Sequence, residues 1–132
     1  MEFLFAGLTA AFFSYVINRW IVNDVGDRAI GNLVPLVEET LKTGLALLVG
    51  ASIFYTHLVF GVIEALYDST TAINKGGSAA IVSLFSHIAL GLIAQFAYNL
   101  TGVFLIAVIA AFVFHMAWNT WIVEIVSAKN KR

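Results

Sequence analysis

The chain of 132 residues has no cysteine, a single proline and few charges. Without cysteine there are no disulfides, and thiolate nucleophiles and thiolate metal ligands are excluded. Seven Lys and Arg against eight Asp and Glu leave a net charge of -1. That balance offers no basic surface, so no nucleic-acid partner is expected. Only 11% of residues are charged while 61% are hydrophobic. Such a composition is wrong for a soluble domain of this size and suits one embedded in a lipid bilayer. Two catalytic signatures are also missing. There is no HExxH zinc helix, and the NKGG at 74–77 is a turn rather than a phosphate loop, because no strand precedes it and the glycine spacing is wrong. No internal repeat or low-complexity segment divides the chain, and its length fits one domain over 1–132.

What is present is a series of long apolar runs. Five fit the length of about 20 residues that a bilayer demands, so the expected fold is an all-α polytopic transmembrane helical bundle. The spans are expected from about Glu2 to Val22, Leu33 to Gly50, Ser52 to Ser69, Ser78 to Tyr98 and Gly102 to Val126. The first has an acidic second residue and no basic n-region, so it reads as a retained membrane helix rather than a cleaved signal. The segment NDVGDRAIGN is polar and glycine-bearing and reads as a loop, after which Pro35 suits the first turn of the second helix. NKGG and NLTG mark further turns, with Ser78 available as a helix cap. Leu33 to Ser69 as one helix would be about 55 Å long against a bilayer core of about 30 Å, so a break is expected near Gly50 to Tyr55.

Five spans put Arg28, Lys75, Lys129, Lys131 and Arg132 on one side, with Arg19 near the end of the first span. The other side has no Lys or Arg. By the positive-inside rule the basic side is cytoplasmic and the N-terminus lies outside.

Against this apolar background the ionisable residues are conspicuous. Glu38, Glu39 and Lys42 lie in PLVEETLK, Glu64 in HLVFGVIEAL, His87 in FSHIALG and His115 in FHMAWN. Inside a membrane each needs a partner, water or a metal. Counted along the helix rise, Glu38 and Glu64 lie roughly 8 Å from the cytoplasmic side, His87 roughly 14 Å and His115 roughly 16 Å. One shared cluster in the cytoplasmic half is therefore expected. The faces agree: Glu38 with Lys42, His115 with Asn119, and Ser83, His87, Gly91 and Gln95 each follow a four-residue spacing. His57, Gly61, Glu64 and Asp68 group more loosely. Gly61 and Gly91 permit close helix approach beside the ionisable residues.

A carboxylate held within hydrogen-bond reach of water can act as a general base. Glu38 or Glu39 fits that role, with Lys42 offsetting and orienting Glu38 and Asn119 donating to a developing oxyanion. Glu64, His87 and His115 would form a two-His, one-Glu ligand set suited to a zinc ion with an open position for water. Plainer roles suit other residues. Glu38 and Lys42 could be a structural ion pair, but Glu39 points about 100° away on the helix and is expected to lack a basic partner in its own span. His57, near the outer end of its span and far from the cluster, is expected to be a helix–helix hydrogen-bond partner. Asp68 and Glu124 are expected near the cytoplasmic interface, and Trp20, Trp118, Trp121 and Tyr98 include interface anchors.

In these residues the chain resembles the PrsW-type intramembrane proteases, which belong to a wider group with the CAAX-processing, Rce1-like proteases and the APH-1 subunit of gamma-secretase. The family's EExxK is matched by Glu38, Glu39 and Lys42. Its glutamate after a glycine-bearing apolar run is matched by FGVIEA and Glu64, and its lone histidine in the next helix by His87. Its terminal HxxWN is matched by His115, Trp118 and Asn119. The matches run from Pro35 to Asn119, about two thirds of the chain; the family's second motif usually has Asn where this chain has Ala65. The resemblance implies a prokaryotic cell-membrane endopeptidase acting on a membrane-anchored protein or peptide, with the glutamates and histidines as its catalytic set. Buried Glu and His also serve proton- or ion-coupled transporters and channels. The APH-1 likeness further allows a non-catalytic scaffold.

Overall fold

The computed structural model describes residues 1–71 and 76–130, with the backbone alone at 76 and 123–130. Five α-helices follow one another: α1 (Glu2–Val25), α2 (Leu33–Leu48), α3 (Ile53–Thr71), α4 (Gly76–Thr101) and α5 (Phe104–Asn130). The expected all-α bundle is observed; α1, α3, α4 and α5 run two to four residues further than expected at their C-terminal ends, α2 stops two residues short, and α4 also begins two residues earlier. Ser78 consequently sits inside the first turn of α4 rather than capping it. The polar segment after α1 is not an open loop, for Asp27–Gly31 forms a 3-10 helix. Asn74, Lys75, Lys131 and Arg132, and the side chains of Glu124 and Lys129, lie outside the described residues.

Local chemistry sets the joints. Asn32 precedes α2 and its side-chain oxygen accepts from the Leu33 N–H at 2.7 Å. Pro35 falls in the first turn, where a helix has no internal acceptor for an N–H, so the proline removes no bond. The break after α2 is a glycine-terminated cap. Gly50 adopts φ 70, and the Ala51 N–H reaches back to the Ala46 carbonyl at 2.7 Å while Gly50 N–H donates to Leu47. That left-handed geometry favours glycine and uses carbonyls the helix end would leave free. Gly102, at φ 68, closes α4 through one bond to the Tyr98 carbonyl at 2.7 Å.

Packing sets α2 against α1, α3 and α5 and sets α3 against α1, α2 and α4, with α3 and α4 the most intimate pair. Two glycines allow that intimacy. A Cβ on Gly61 would lie 2.7 Å from the His87 Cβ, and one on Gly91 would lie 2.7 Å from the His57 Cβ. Each helix thus seats a histidine of the other over a glycine. Elsewhere the apolar core is built of small residues, with Ala6, Ala10, Ala46, Ala94, Ala107 and Ala111 fully buried. The large apolar side chains face outward, as in Phe85 (67% exposed), Phe96 (70%) and Leu100 (73%). A surface this apolar needs lipid rather than water.

Among the described residues three helices are long and apolar enough to cross a membrane: α1, α4 and the Phe104–Ile122 part of α5. The architecture is that of a polytopic helical membrane protein. The five-span expectation is met in helix number but not in hydropathy. α2, at 16 residues, is about 24 Å long, short of a core of about 30 Å. α3 carries His57, Glu64 and Asp68. Among the described residues these two helices hold four of the six buried ionisable side chains, Glu38, Glu39, Lys42 and His57.

Candidate active site

The inward stripe of α2 is Glu38, Glu39, Lys42, Thr43 and Ala46, all buried. Three ionisable groups on one buried stripe need partners from facing helices. The structure supplies them and brings Glu38, Glu39, Glu64, His87 and His115 together from α2, α3, α4 and α5.

Glu39 is the hub. Its Oε1 accepts from Lys42 Nζ at 2.6 Å and from His115 Nδ1 at 2.7 Å, and its Oε2 meets His57 Nε2 at 2.9 Å. Glu39, Lys42 and His57 are all 0% exposed. This corrects three expectations. Glu39 does have a basic partner in its own helix, because i,i+3 side chains meet on a helix face as i,i+4 ones do. Lys42 is held by Glu39 first and stands 3.9 Å from Glu38. His57 bridges helices as expected, yet it lies within the cluster, because Glu39 reaches along α3 towards its outer end.

Hydrogen bonding fixes proton positions. The His57 Nδ1 lies 2.9 Å from the Ile53 carbonyl, which can only accept, so Nδ1 carries a hydrogen. The Nε2–Glu39 contact then requires a second proton, held by the imidazole or the carboxyl. His87 Nδ1 lies 3.2 Å from Lys42 Nζ. An ammonium only donates, so His87 Nδ1 accepts and its Nε2–H points to Glu64 Oε2 in a short contact. Ser83 also donates to Glu64 Oε2, at 3.0 Å. The Ser83, His87, Gly91 and Gln95 stripe faces α3 along its length, ending where the Ser52 hydroxyl and the Phe54 N–H donate to Gln95 Oε1.

Glu38 differs from its neighbour. Its Oε1 accepts from Asn18 Nδ2 at 2.8 Å, while its Oε2 is buried without a hydrogen-bond partner. Lys42 Nζ and His115 Nε2 each stand 3.9 Å from Oε2, and a Glu64 carboxylate oxygen lies within 4.8 Å of the Glu38 carboxylate. Glu38 lines a groove of about 950 Å³ between α1 and α3, walled by Leu8, Phe12, Val34 and Ile63 and also bordered by Glu64 and Arg19. A buried, unpartnered carboxylate oxygen on a residue that lines a groove is a place for water or a reacting group.

Glu38, Glu64 and His87 bring ligand atoms within 4.8 Å of one another, a Glu/Glu/His group able by position to hold a metal ion. The expected set of Glu64, His87 and His115 shares Glu64 and His87 with this group, and Glu38 stands as its third member. Protonation works against the ion. A metal-bound histidine normally donates its other N–H to an acceptor. Through Nε2, His87 would need a hydrogen on Nδ1, which faces the Lys42 ammonium; through Nδ1, the cation itself would face that ammonium.

Asn119 is not brought into the cluster. Its Nδ2 donates to the Ile30 carbonyl at 3.1 Å and ties α5 to the 3-10 helix. Asn18 and Ser14 were not singled out by the sequence reading. Their signal is a four-residue repeat of small and polar residues, Ala6, Ala10, Ser14 and Asn18, along the inner face of α1. Comparison of the chain with protein-family models, with curated proteins and with solved structures finds no match.

Proposed function

We propose that the chain is a glutamate-dependent intramembrane endopeptidase of the PrsW type, akin to the CAAX-processing proteases, which hydrolyses a peptide bond of a membrane-anchored protein or peptide. The observation that carries this reading is the divided pair of glutamates. Glu39 is saturated by Lys42, His57 and His115, whereas Glu38 keeps one oxygen free in a groove. On this reading the chain crosses the bilayer five times with its N-terminus outside, and the groove lies in the cytoplasmic half.

The reaction runs on this chain's own groups. A water in the groove donates one hydrogen to Glu38 Oε2 and the other to His115 Nε2. That nitrogen is an acceptor because Nδ1–H is given to Glu39. The water's free lone pair attacks the carbonyl carbon and Glu38 takes its proton. The C–N bond then breaks and the proton passes from Glu38 to the leaving amine. Lys42 offsets the charge of the paired glutamates, and His87 holds Glu64 at the groove. A metal-assisted variant with zinc would use Glu38, Glu64 and His87, and no step here is routed through it.

The test is cleavage of a single-span or membrane-proximal peptide by the reconstituted chain. Glu38→Gln should lower kcat by about 10²–10⁴-fold, the usual contribution of a general base. Turnover should survive strong zinc chelators. Unchanged cleavage by the Glu38→Gln chain sinks the proposal, and loss of turnover on chelation sinks its metal-free form.

A further inference from the structure

We infer that α1 holds the substrate as an extended strand, with the Ser14 hydroxyl and the Asn18 amide pairing with its main chain two residues apart. The inference rests on the proposed hydrolysis at Glu38 and names where the polypeptide lies. Ser14, Asn18 and Glu38 all line the groove, and each carries a buried polar atom without a hydrogen-bond partner: Ser14 Oγ, Asn18 Oδ1 and Glu38 Oε2. Ser14 is only 1% exposed. Leaving a buried polar atom unpaired costs about 1–3 kcal/mol, so three beside one another mark a place built for a polar occupant.

Their spacing selects that occupant. Ser14 and Asn18 are one helical turn apart, a rise of about 6 Å. An extended chain repeats its orientation every two residues, about 6.6 Å, so successive inward-facing amide groups match the two side chains. Asn18 Oδ1 can accept an N–H, because its Nδ2 is committed to Glu38. The Ser14 hydroxyl can donate to a carbonyl or accept an N–H. An acyl chain has no such groups and would leave all three atoms unsatisfied. A substrate helix has already used its amides internally and must unwind locally to make these bonds.

Asn18 bonds Glu38, so the scissile bond lies level with Asn18 and the flanking strand runs along α1 towards Ser14. The apolar walls at Leu8, Phe12 and Ile63 receive its side chains. Recognition of this kind takes affinity from the main chain and selectivity from the walls.

The experiment uses the full chain carrying Glu38→Gln, in lipid nanodiscs, so that binding is read without turnover. The probe is a pool of fluorescein-labelled apolar decapeptides beside the same pool N-methylated at alternate amides. The parent pool should be retained in preference to the methylated one, and adding Ser14→Ala should reduce that preference by about threefold to tenfold, the worth of one hydrogen bond. Equal retention of the two pools, no retention of either, or a preference unmoved by Ser14→Ala overturns the inference and leaves ordered water as the sole occupant. Cleavage by the unsubstituted chain with the preference unmoved defeats the strand and spares the hydrolysis. A preference lost with Ser14→Ala, without cleavage by the unsubstituted chain, does the reverse.

Discussion

At Glu39 both carboxylate oxygens are engaged by buried groups on three helices, counting its own, and at Glu38 one oxygen is engaged by nothing. Adjacent identical residues should therefore respond oppositely to the same substitution. Glu39→Gln replaces one carboxylate oxygen with an amide N–H₂, which Lys42 and His115 cannot accept and which His57 Nε2 accepts only as a neutral imidazole. It also leaves Lys42 buried with its next carboxylate 3.9 Å away. Removing one partner of a buried pair costs about 3–5 kcal/mol, and that loss is expected in denaturant or thermal unfolding of the detergent-solubilised chain. Glu38→Gln removes a buried charge that has only a distant counter-ion and keeps an acceptor for Asn18. It should leave stability within about 1 kcal/mol or raise it, because deleting an uncompensated charge relieves a desolvation penalty. Equal destabilisation by the two substitutions would contradict the division of roles. The identity of the cluster was legible at this scale, since glutamates and histidines in apolar runs are costly wherever they fall. The division within it was not, because a helix position does not say which of two neighbouring carboxylates the facing histidines will choose. His57 shows the same limit: counting rise along one helix put it at the wrong depth to meet the cluster, while the Glu39 side chain spans the difference.

Between elements, the α3–α4 interface turns on two reciprocal glycine seats. A methyl at Gly61 meets the His87 Cβ at 2.7 Å, and one at Gly91 meets the His57 Cβ at the same distance. Both neighbours are Cβ atoms fixed to a helix backbone, so they cannot swing aside and the helices must separate. Gly61→Ala or Gly91→Ala should each cost about 1–3 kcal/mol, as overpacking does, despite alanine's better helix propensity. The double substitution should cost less than the sum, because one separation of the helices relieves both clashes. Strict additivity in thermal unfolding would show that the two seats yield independently. Helix existence was readable from apolar runs, and the joints from glycine: Gly50 and Gly102 both end helices at positive φ. The 3-10 helix at Asp27–Gly31 was not, because its polar residues carry no apolar period. Asn119 was misassigned for a related reason. Its place on the His115 face was right, but the carbonyl that it meets belongs to that irregular segment, whose path a sequence does not trace.

For the whole molecule, five helices are formed by the described residues, and among these residues three helices qualify as spans on their own. A short or polar helix can cross a bilayer when other helices shield it, since its polar side chains then face protein rather than lipid. α2 and α3 meet that condition: Glu38, Glu39, Lys42 and His57 are buried against facing helices, while the exposed faces carry Leu36, Leu48, Val62 and Leu66. Were α2 and α3 instead a re-entrant hairpin, the turn at Gly50 would stop inside the membrane. The absence of cysteine makes this directly testable, because any thiol introduced is the only one. Asp27→Cys, Leu48→Cys and Thr101→Cys place single thiols at exposed positions beside the α1–α2, α2–α3 and α4–α5 turns. In sealed cells, an impermeant maleimide added outside should label the Leu48 and Thr101 sites. The Asp27 site, on the side of Arg19 and Arg28, should react only after the membrane is opened. A Leu48 thiol that resists labelling from outside while the Thr101 thiol reacts would replace five full spans with a three-span shell around a re-entrant pair. The cluster would then sit in a water-filled inlet from the cytoplasm rather than within a sealed bundle.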